Sequence, residues 1–297
     1  MQTNTTTVSY NIQELIPYIN WIYFFHAWGF QAKFASIAEY QCTDYTNWLD
    51  CFPEEDQWKA SETISLYNEA LCLLNEMSGK NKIYALYRLM DANSDGDNLL
   101  LNGKNIPLLR QQTHKQKGDP FLCLSDFVYP LSSNKTDTIG VFATTIDLSA
   151  KIMSETDLYK QLLLQVLGER LAEAAAEKLH ETIRKEIWGY AKDEHLTMKQ
   201  MLNEEYQGIR PAVGYPSLPD ISIIFLLNDL IDMKQIGIQL TENGMMIPHA
   251  SICGLMFAHP ASRYFSVGKI DEEQLKDYAK RRGLGINVMK KFLTNNL

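Results

Sequence analysis

Apolar residues alternate with polar ones in several distinct rhythms along the chain. Asn11-Ile12-Gln13-Glu14 is a capping-box pattern that opens a short helix, which Pro17 interrupts. The Thr- and Asn-rich residues 1–10 before it read as a disordered polar lead. Apolar positions recur at helical spacing from Ile64 through Leu74, so residues 58–78 are predicted helical. From Ile83 to about Asp147 the rhythm changes to short apolar runs broken by Gly, Asn, Asp and Ser. Strands are expected at Ile83–Met90, Leu99–Leu101, Phe121–Leu124 and Thr138–Thr145.

Ser154-Glu155-Thr156-Asp157 then caps the longest expected helix, which runs to about Trp188. Leu158, Leu162, Val166 and Leu171 would form its apolar side, and Ala172, Ala174, Ala175 and Ala176 would permit close backbone approach. Asp220 starts a further helix through Ile231. Strands are expected at Ile236–Leu240, Ile252–Ala258 and Tyr264–Val267, before two final helices, the first ended by Gly283. Two blocks of strands separated by long helices predict an antiparallel sheet with helices to one side, hence an α+β fold.

Composition narrows the function classes. The chain has 297 residues, 45% apolar and 22% charged, as expected of a folded globular protein. A net charge of −8 argues against nucleic acid or an anionic membrane as partner. No apolar run approaches a bilayer span, and no secretory leader pattern is seen. Five dispersed cysteines (Cys42, Cys51, Cys72, Cys123 and Cys253) form no CxxC pair, which fits buried thiols in a reducing cytoplasm.

Three motifs invite a chemical reading. Asp91-Ala92-Asn93-Ser94-Asp95-Gly96 copies half of a calcium loop, but Asn102 stands where the bidentate glutamate is required. Asp193-Glu194-His195 resembles the start of a corrinoid-ligand motif, with Met198 where its glycine should be. Neither supports a metal site. The third is Gly208-Ile209-Arg210-Pro211-Ala212-Val213-Gly214-Tyr215-Pro216. Two prolines and two glycines within nine residues fix an irregular backbone that neither helix nor strand tolerates. It presents a permanent cation and a phenol, which suits a small ligand with a carboxylate and a flat or cationic part.

The flanking text extends this motif. Upstream stand Lys178-Leu179-His180-Glu181, Trp188-Gly189-Tyr190-Ala191 and Glu205-Tyr206-Gln207. Downstream stand Pro248-His249-Ala250-Ser251-Ile252-Cys253-Gly254 and His259-Pro260-Ala261-Ser262-Arg263-Tyr264-Phe265. Similar stretches begin at Glu14-Leu15-Ile16-Pro17-Tyr18-Ile19-Asn20-Trp21. In order and spacing the chain resembles the activation domain of cobalamin-dependent methionine synthase. That resemblance implies a single curved domain over residues 11–297, built on a bent antiparallel sheet flanked by helices. It also implies a site for S-adenosylmethionine: Arg210 on the carboxylate, the backbone around Gly214 on the rest, Tyr264 and Phe265 as lining. Tyr215 would close the loop near the reacting methyl, and Asn20 and Glu173 would complete the site. For Phe265 plain packing is an equal alternative. For Glu173 the polar helical neighbours Glu169, Glu177 and His180 offer a solvated face instead.

The implied chemistry is methyl transfer from S-adenosylmethionine to cobalamin held on a partner chain, after a flavodoxin-like donor supplies an electron. No residue of this chain need act as acid, base or nucleophile. Two departures qualify the resemblance. The family carries an aspartate at Asn20, and a polar run where this chain has Ile221-Ser222-Ile223-Ile224. They leave open a second reading, a non-catalytic corrinoid-protein partner or S-adenosylmethionine sensor with a degenerate site.

Overall fold

The computed structural model describes residues 4–40, 44–112 and 118–297; Cys42 lies outside them. Strand β1 (Thr6–Asn11) leads into α1 (Ile12–Leu15), a 3-10 turn at Ile16–Tyr18 and α2 (Trp21–Ala27). Helices α3 (Thr46–Leu49) and α4 (Glu54–Met77) precede strands β2 (Lys82–Asp95), β3 (Asn98–Leu101), β4 (Lys104–Pro107) and β5 (Asp137–Thr145). Then come α5 (Ser149–Ser154), α6 (Leu158–Thr182), α7 (Met198–Leu202) and α8 (Ile223–Ile231). The chain closes with β6 (Gln239–Leu240), β7 (Met246–Ile247), β8 (Ser251–Met256), α9 (Glu272–Arg282) and α10 (Ile286–Phe292).

Six strands form one antiparallel sheet, five in the order β4-β3-β2-β5-β8 with β1 also paired to β2, and the sheet curls into a half-barrel flanked by helices. The long β2 organises it: β5 pairs along one side, while β1 and then β3 pair along the other. Successive side chains of a strand point to opposite faces. Ala85, Tyr87, Leu89 and Phe142 accordingly join one core with α4 and α6. Leu86, Met90, Val141 and Ala143 join another with α8 and α9. Helices therefore cover both faces rather than one, because β5 and β8 are apolar on both sides and need cover on each.

Other expectations need correction. The lead is ordered from Thr6: β-branched Thr6, Thr7 and Val8 pair with β2, and Tyr10 is buried. In α1, Asn11 and Glu14 bond to each other (3.0 Å), and Asn11 makes no side-chain cap. Residues 121–124 form no strand. The Asp126 carboxylate accepts the Cys123 N–H (2.8 Å) and pairs with Arg110, which draws the chain into a 3-10 turn at Leu124–Phe127. The strand expected at 236–240 shrinks to two residues because Gly237 turns left-handed at φ 83°.

In α6 the buried stripe is Leu163, Leu164, Leu167 and Leu171 with Ala172 and Ala174–Ala176. Leu158 and Leu162 are exposed and lie off that stripe. Cys123 and Cys253 are buried as expected, whereas Cys51 and Cys72 are exposed. Residues 91–95 of the calcium-like motif belong to β2, with Gly96 in the turn that follows. No helix among the described residues is long and apolar enough to cross a membrane.

Candidate functional site

The proline loop docks on the free edge of β8. Ile209 exchanges both backbone hydrogen bonds with Phe257 (3.0 and 2.9 Å), the Pro211 carbonyl accepts from Leu255 N–H (3.0 Å), and Val213 N–H donates to Cys253 (2.9 Å). The segment expected to reject strand pairing thus makes two antiparallel bridges, at Ile209 and Ala212. Proline lacks only the donor, and Pro211 uses its carbonyl. The approach is close enough that a Cβ on Gly254 would sit 2.3 Å from the Pro211 oxygen. Beyond the bridges Gly214, at φ 86°, turns the chain, and its N–H donates to Leu218 O (2.8 Å).

Residues 264–267 lie beside this loop without becoming a strand. Val267 N–H donates to the Pro216 carbonyl (2.9 Å), but Pro216 has no N–H with which to continue a ladder. Ser217 takes over that role, accepting from Phe265 N–H (3.0 Å) and donating to Phe265 O. The Tyr264 hydroxyl accepts the Arg210 backbone N–H (2.9 Å), so Tyr264 anchors the loop.

Between the loop, the 264–267 segment, α6 and the start of α2 lies a cavity of about 570 Å³, an ordinary size for a small-molecule site. Asn20, Glu173, Arg210, Tyr215, Tyr264 and Phe265 all line it; Gly214 does not, and shapes the turn behind it. Phe265 serves both readings, since its buried ring also packs on Phe127. Three carboxylates, Glu173, Glu177 and Glu204, face two guanidiniums, Arg170 and Arg210.

Arg210 is held by Glu177, with Nη2 2.5 Å from Oε2, and both side chains are nearly buried (15% and 5% exposed). Burial works against the Arg210 charge, but Glu177, Tyr206 and Tyr264 outweigh it and keep the guanidinium firmly protonated. Tyr215 donates to Glu173 Oε1 (2.5 Å), and burial together with that carboxylate raises the phenol above its usual range. Asn20 caps α2: its Oδ1 accepts Ile22 N–H at 3.1 Å. The oxygen expected to face a ligand ammonium is therefore already engaged by backbone.

Behind Arg210 the polar face of α6 is buried, not solvated. Glu177 and His180 are both shielded, and only Glu169 of the three expected polar neighbours is exposed. Burial, then Arg184 and Arg210, hold His180 well below the usual imidazole range, so the ring is neutral. Arg184 is fully buried at a π-helical turn (Ile183–Ile187), bonded to Glu194 (2.7 Å) and lying over the Tyr206 ring at 4.1 Å. The corrinoid-like Asp193-Glu194-His195 thus contributes an internal ion pair. Glu177 was missed by reading the sequence, although its position four residues after Glu173 puts both on one helix face. Arg170, three residues before Glu173, lies on the same face, whereas Tyr23 and Glu204 carried no comparable signal.

Residues 11–283 match the sequence model of the family described as Vitamin B12 dependent methionine synthase, activation domain. Among solved structures, the chain is similar to the MetH reactivation domain bound to AdoHcy. The identity is 33% and the TM-score 0.86, covering all of this chain and 91% of that one.

Proposed function

The chain belongs to the vitamin B12-dependent methionine synthase activation-domain family, and from that premise we propose that it binds S-adenosylmethionine in the cavity beside Arg210 and supports reductive methylation of cob(II)alamin carried by a partner chain. The observation that carries this reading is the convergence of Arg210, Glu173, Tyr215 and Tyr264 on one cavity of about 570 Å³. Its charge suits the ligand. Three carboxylates against two guanidiniums favour a molecule of net positive charge, which S-adenosylmethionine is, with sulfonium, ammonium and a single carboxylate. The AdoHcy carried by the related reactivation domain differs from it by one methyl and one charge.

Within this reading the protein binds and orients. Arg210 offers its guanidinium fork to the ligand carboxylate. The loop backbone, fastened to β8 and to Tyr264, supplies a rigid wall. Tyr215, half exposed and tied to Glu173, stands at the opening, where a sulfonium methyl must face out toward a neighbouring chain. Cobalamin supplies the methyl-accepting cobalt, and a flavodoxin-like protein supplies the electron. No acid, base or nucleophile of this chain takes part. Positioning is what accelerates the transfer.

Asn20 favours the second reading, a sensor or partner that binds without productive transfer, because the position offers no charged acceptor to the ligand ammonium. One experiment separates the two. The protein is mixed with cob(II)alamin-loaded methionine synthase lacking an activation domain, a reduced flavodoxin and methyl-labelled S-adenosylmethionine. Label on cobalt establishes the activation reading. Calorimetric binding without label establishes the sensor, and no heat at millimolar ligand defeats both S-adenosylmethionine readings.

A further inference from the structure

Arg210 is not held by its own loop. Its backbone N–H is taken by Tyr264, and Pro211 stiffens the next residue, but the side chain has several free torsions beyond that anchor. What fixes the guanidinium comes from a different element, Glu177 in the C-terminal third of α6. This carboxylate is 5% exposed and bonds to the guanidinium through Oε2, while Oε1 is shielded with no protein partner. A long helix packed against the sheet is the stiffest support available, and Ala174, Ala175 and Ala176 bring its backbone close to its neighbours there. A buried carboxylate with one bond is costly unless its partner stays in place. The contact through Nη2 leaves the rest of the fork open to a second carboxylate.

We infer that Glu177 is a positioning residue, which sets the Arg210 guanidinium at the place where the carboxylate of an amino-acid ligand is received. The inference rests on the S-adenosylmethionine reading and deepens it. Glu177 touches no reacting atom; its effect passes through Arg210. It therefore governs the amino-acid arm of the ligand and not the nucleoside. Two probes separate these parts: S-adenosylmethionine, and 5′-methylthioadenosine, which keeps the nucleoside and sulfur but lacks both carboxylate and ammonium.

The test is calorimetric titration of both probes into wild type, Glu177→Asp and Glu177→Gln. Aspartate keeps the ion pair, and with it the fold, but is shorter by one methylene, about 1.5 Å of reach. Displacing the fork by that distance is expected to weaken S-adenosylmethionine about tenfold or more while 5′-methylthioadenosine changes less than about twofold. Glutamine keeps the reach and an accepting oxygen, so affinity stays within about threefold of wild type. Parallel loss of both probes in Glu177→Asp means a merely structural role and overturns the inference. So does unchanged S-adenosylmethionine binding, or a glutamine variant that loses as much as aspartate, which would assign the effect to charge. A wild-type protein that takes up neither probe refutes the ligand reading itself, and the positioning role falls with it.

Discussion

The inner wall of the cavity and its rim are built on different physical terms. On the inner wall Glu177, Arg210 and Tyr264 are buried or nearly so, with the neutral His180 buried behind them, and each bonds or packs against another polar group from elsewhere in the chain. On the rim Asn20 and Tyr215 are partly exposed; Asn20 bonds locally to Ile22 N–H, and Tyr215 reaches across to Glu173. A buried charge without its partner is expensive, so inner-wall changes that strand one cost stability. A rim residue loses little stability when replaced, which leaves it free to tune the ligand. Of the two departures from the family, Asn20 falls on the rim, whereas Ser222, Ile223 and Ile224 of the Ile221–Ile224 run are buried and none of that run lines the cavity.

Arg210→Ala is the strongest way to break this contrast. It strands the Glu177 carboxylate, so about 3 kcal/mol of unfolding free energy should be lost, and S-adenosylmethionine affinity should fall about a hundredfold. Denaturant melts and calorimetry read the two effects. Loss of affinity at unchanged stability would put Arg210 on the rim. Gly254→Ala comes next. Its Cβ would meet the Pro211 carbonyl at 2.3 Å and Ala212 Cα at 2.9 Å, both backbone atoms that cannot swing aside. A cost of about 1–3 kcal/mol follows, together with faster amide exchange at Val213 and Leu255, whose N–H bonds join loop and strand. Wild-type exchange at those two amides would mean the loop is not fastened there.

His180 supplies a pH test of the inner wall. Its folded-state pKa is depressed by burial, so below the ordinary value of 6.5 the unfolded chain binds a proton that the folded one refuses. The stability that follows is fully present above pH 6.5 and drains away as pH falls, by at most about 1.4 kcal/mol per unit. His180→Gln removes that dependence, so its melt should fall less steeply than wild type from about pH 6.5 downward. Parallel curves would show that the ring is protonated in the folded state and that the wall is wetter than its burial indicates.

The same contrast explains what could be read from the sequence. The sheet strands around Ile83–Met90 and Thr138–Thr145, the helix over 58–78 and the extent of α6 were legible because hydrophobic period fixes them. Arg210, Tyr215 and Tyr264 were singled out through the family resemblance, and they line one cavity. Glu177 and His180 were not, since a polar residue on a helix reads as solvated until tertiary contact shows which charge it meets. The strand at Thr6–Asn11 hid behind a polar composition that pairing with β2 overrides. Tyr264–Val267 failed as a strand because its neighbour Pro216 lacks a donor, a fact about the partner and not about the segment.

Asn20→Asp is the mildest change and sharpens the rim side of the comparison. Asn20 spends Oδ1 on the Ile22 N–H, and aspartate caps a helix as well as asparagine does, so stability should stay within about 0.5 kcal/mol. The added charge enters a cavity that Asn20 lines together with Glu173. A ligand ammonium placed there would exchange a neutral acceptor for a charged one, worth about 1–2 kcal/mol, or roughly tenfold tighter S-adenosylmethionine binding. The neutral 5′-methylthioadenosine has no ammonium and should bind unchanged. A constant that stays put or weakens for S-adenosylmethionine would place the ammonium elsewhere, against the carboxylates of Glu173 or Glu204. The rim at Asn20 would then be a helix cap that happens to border the cavity.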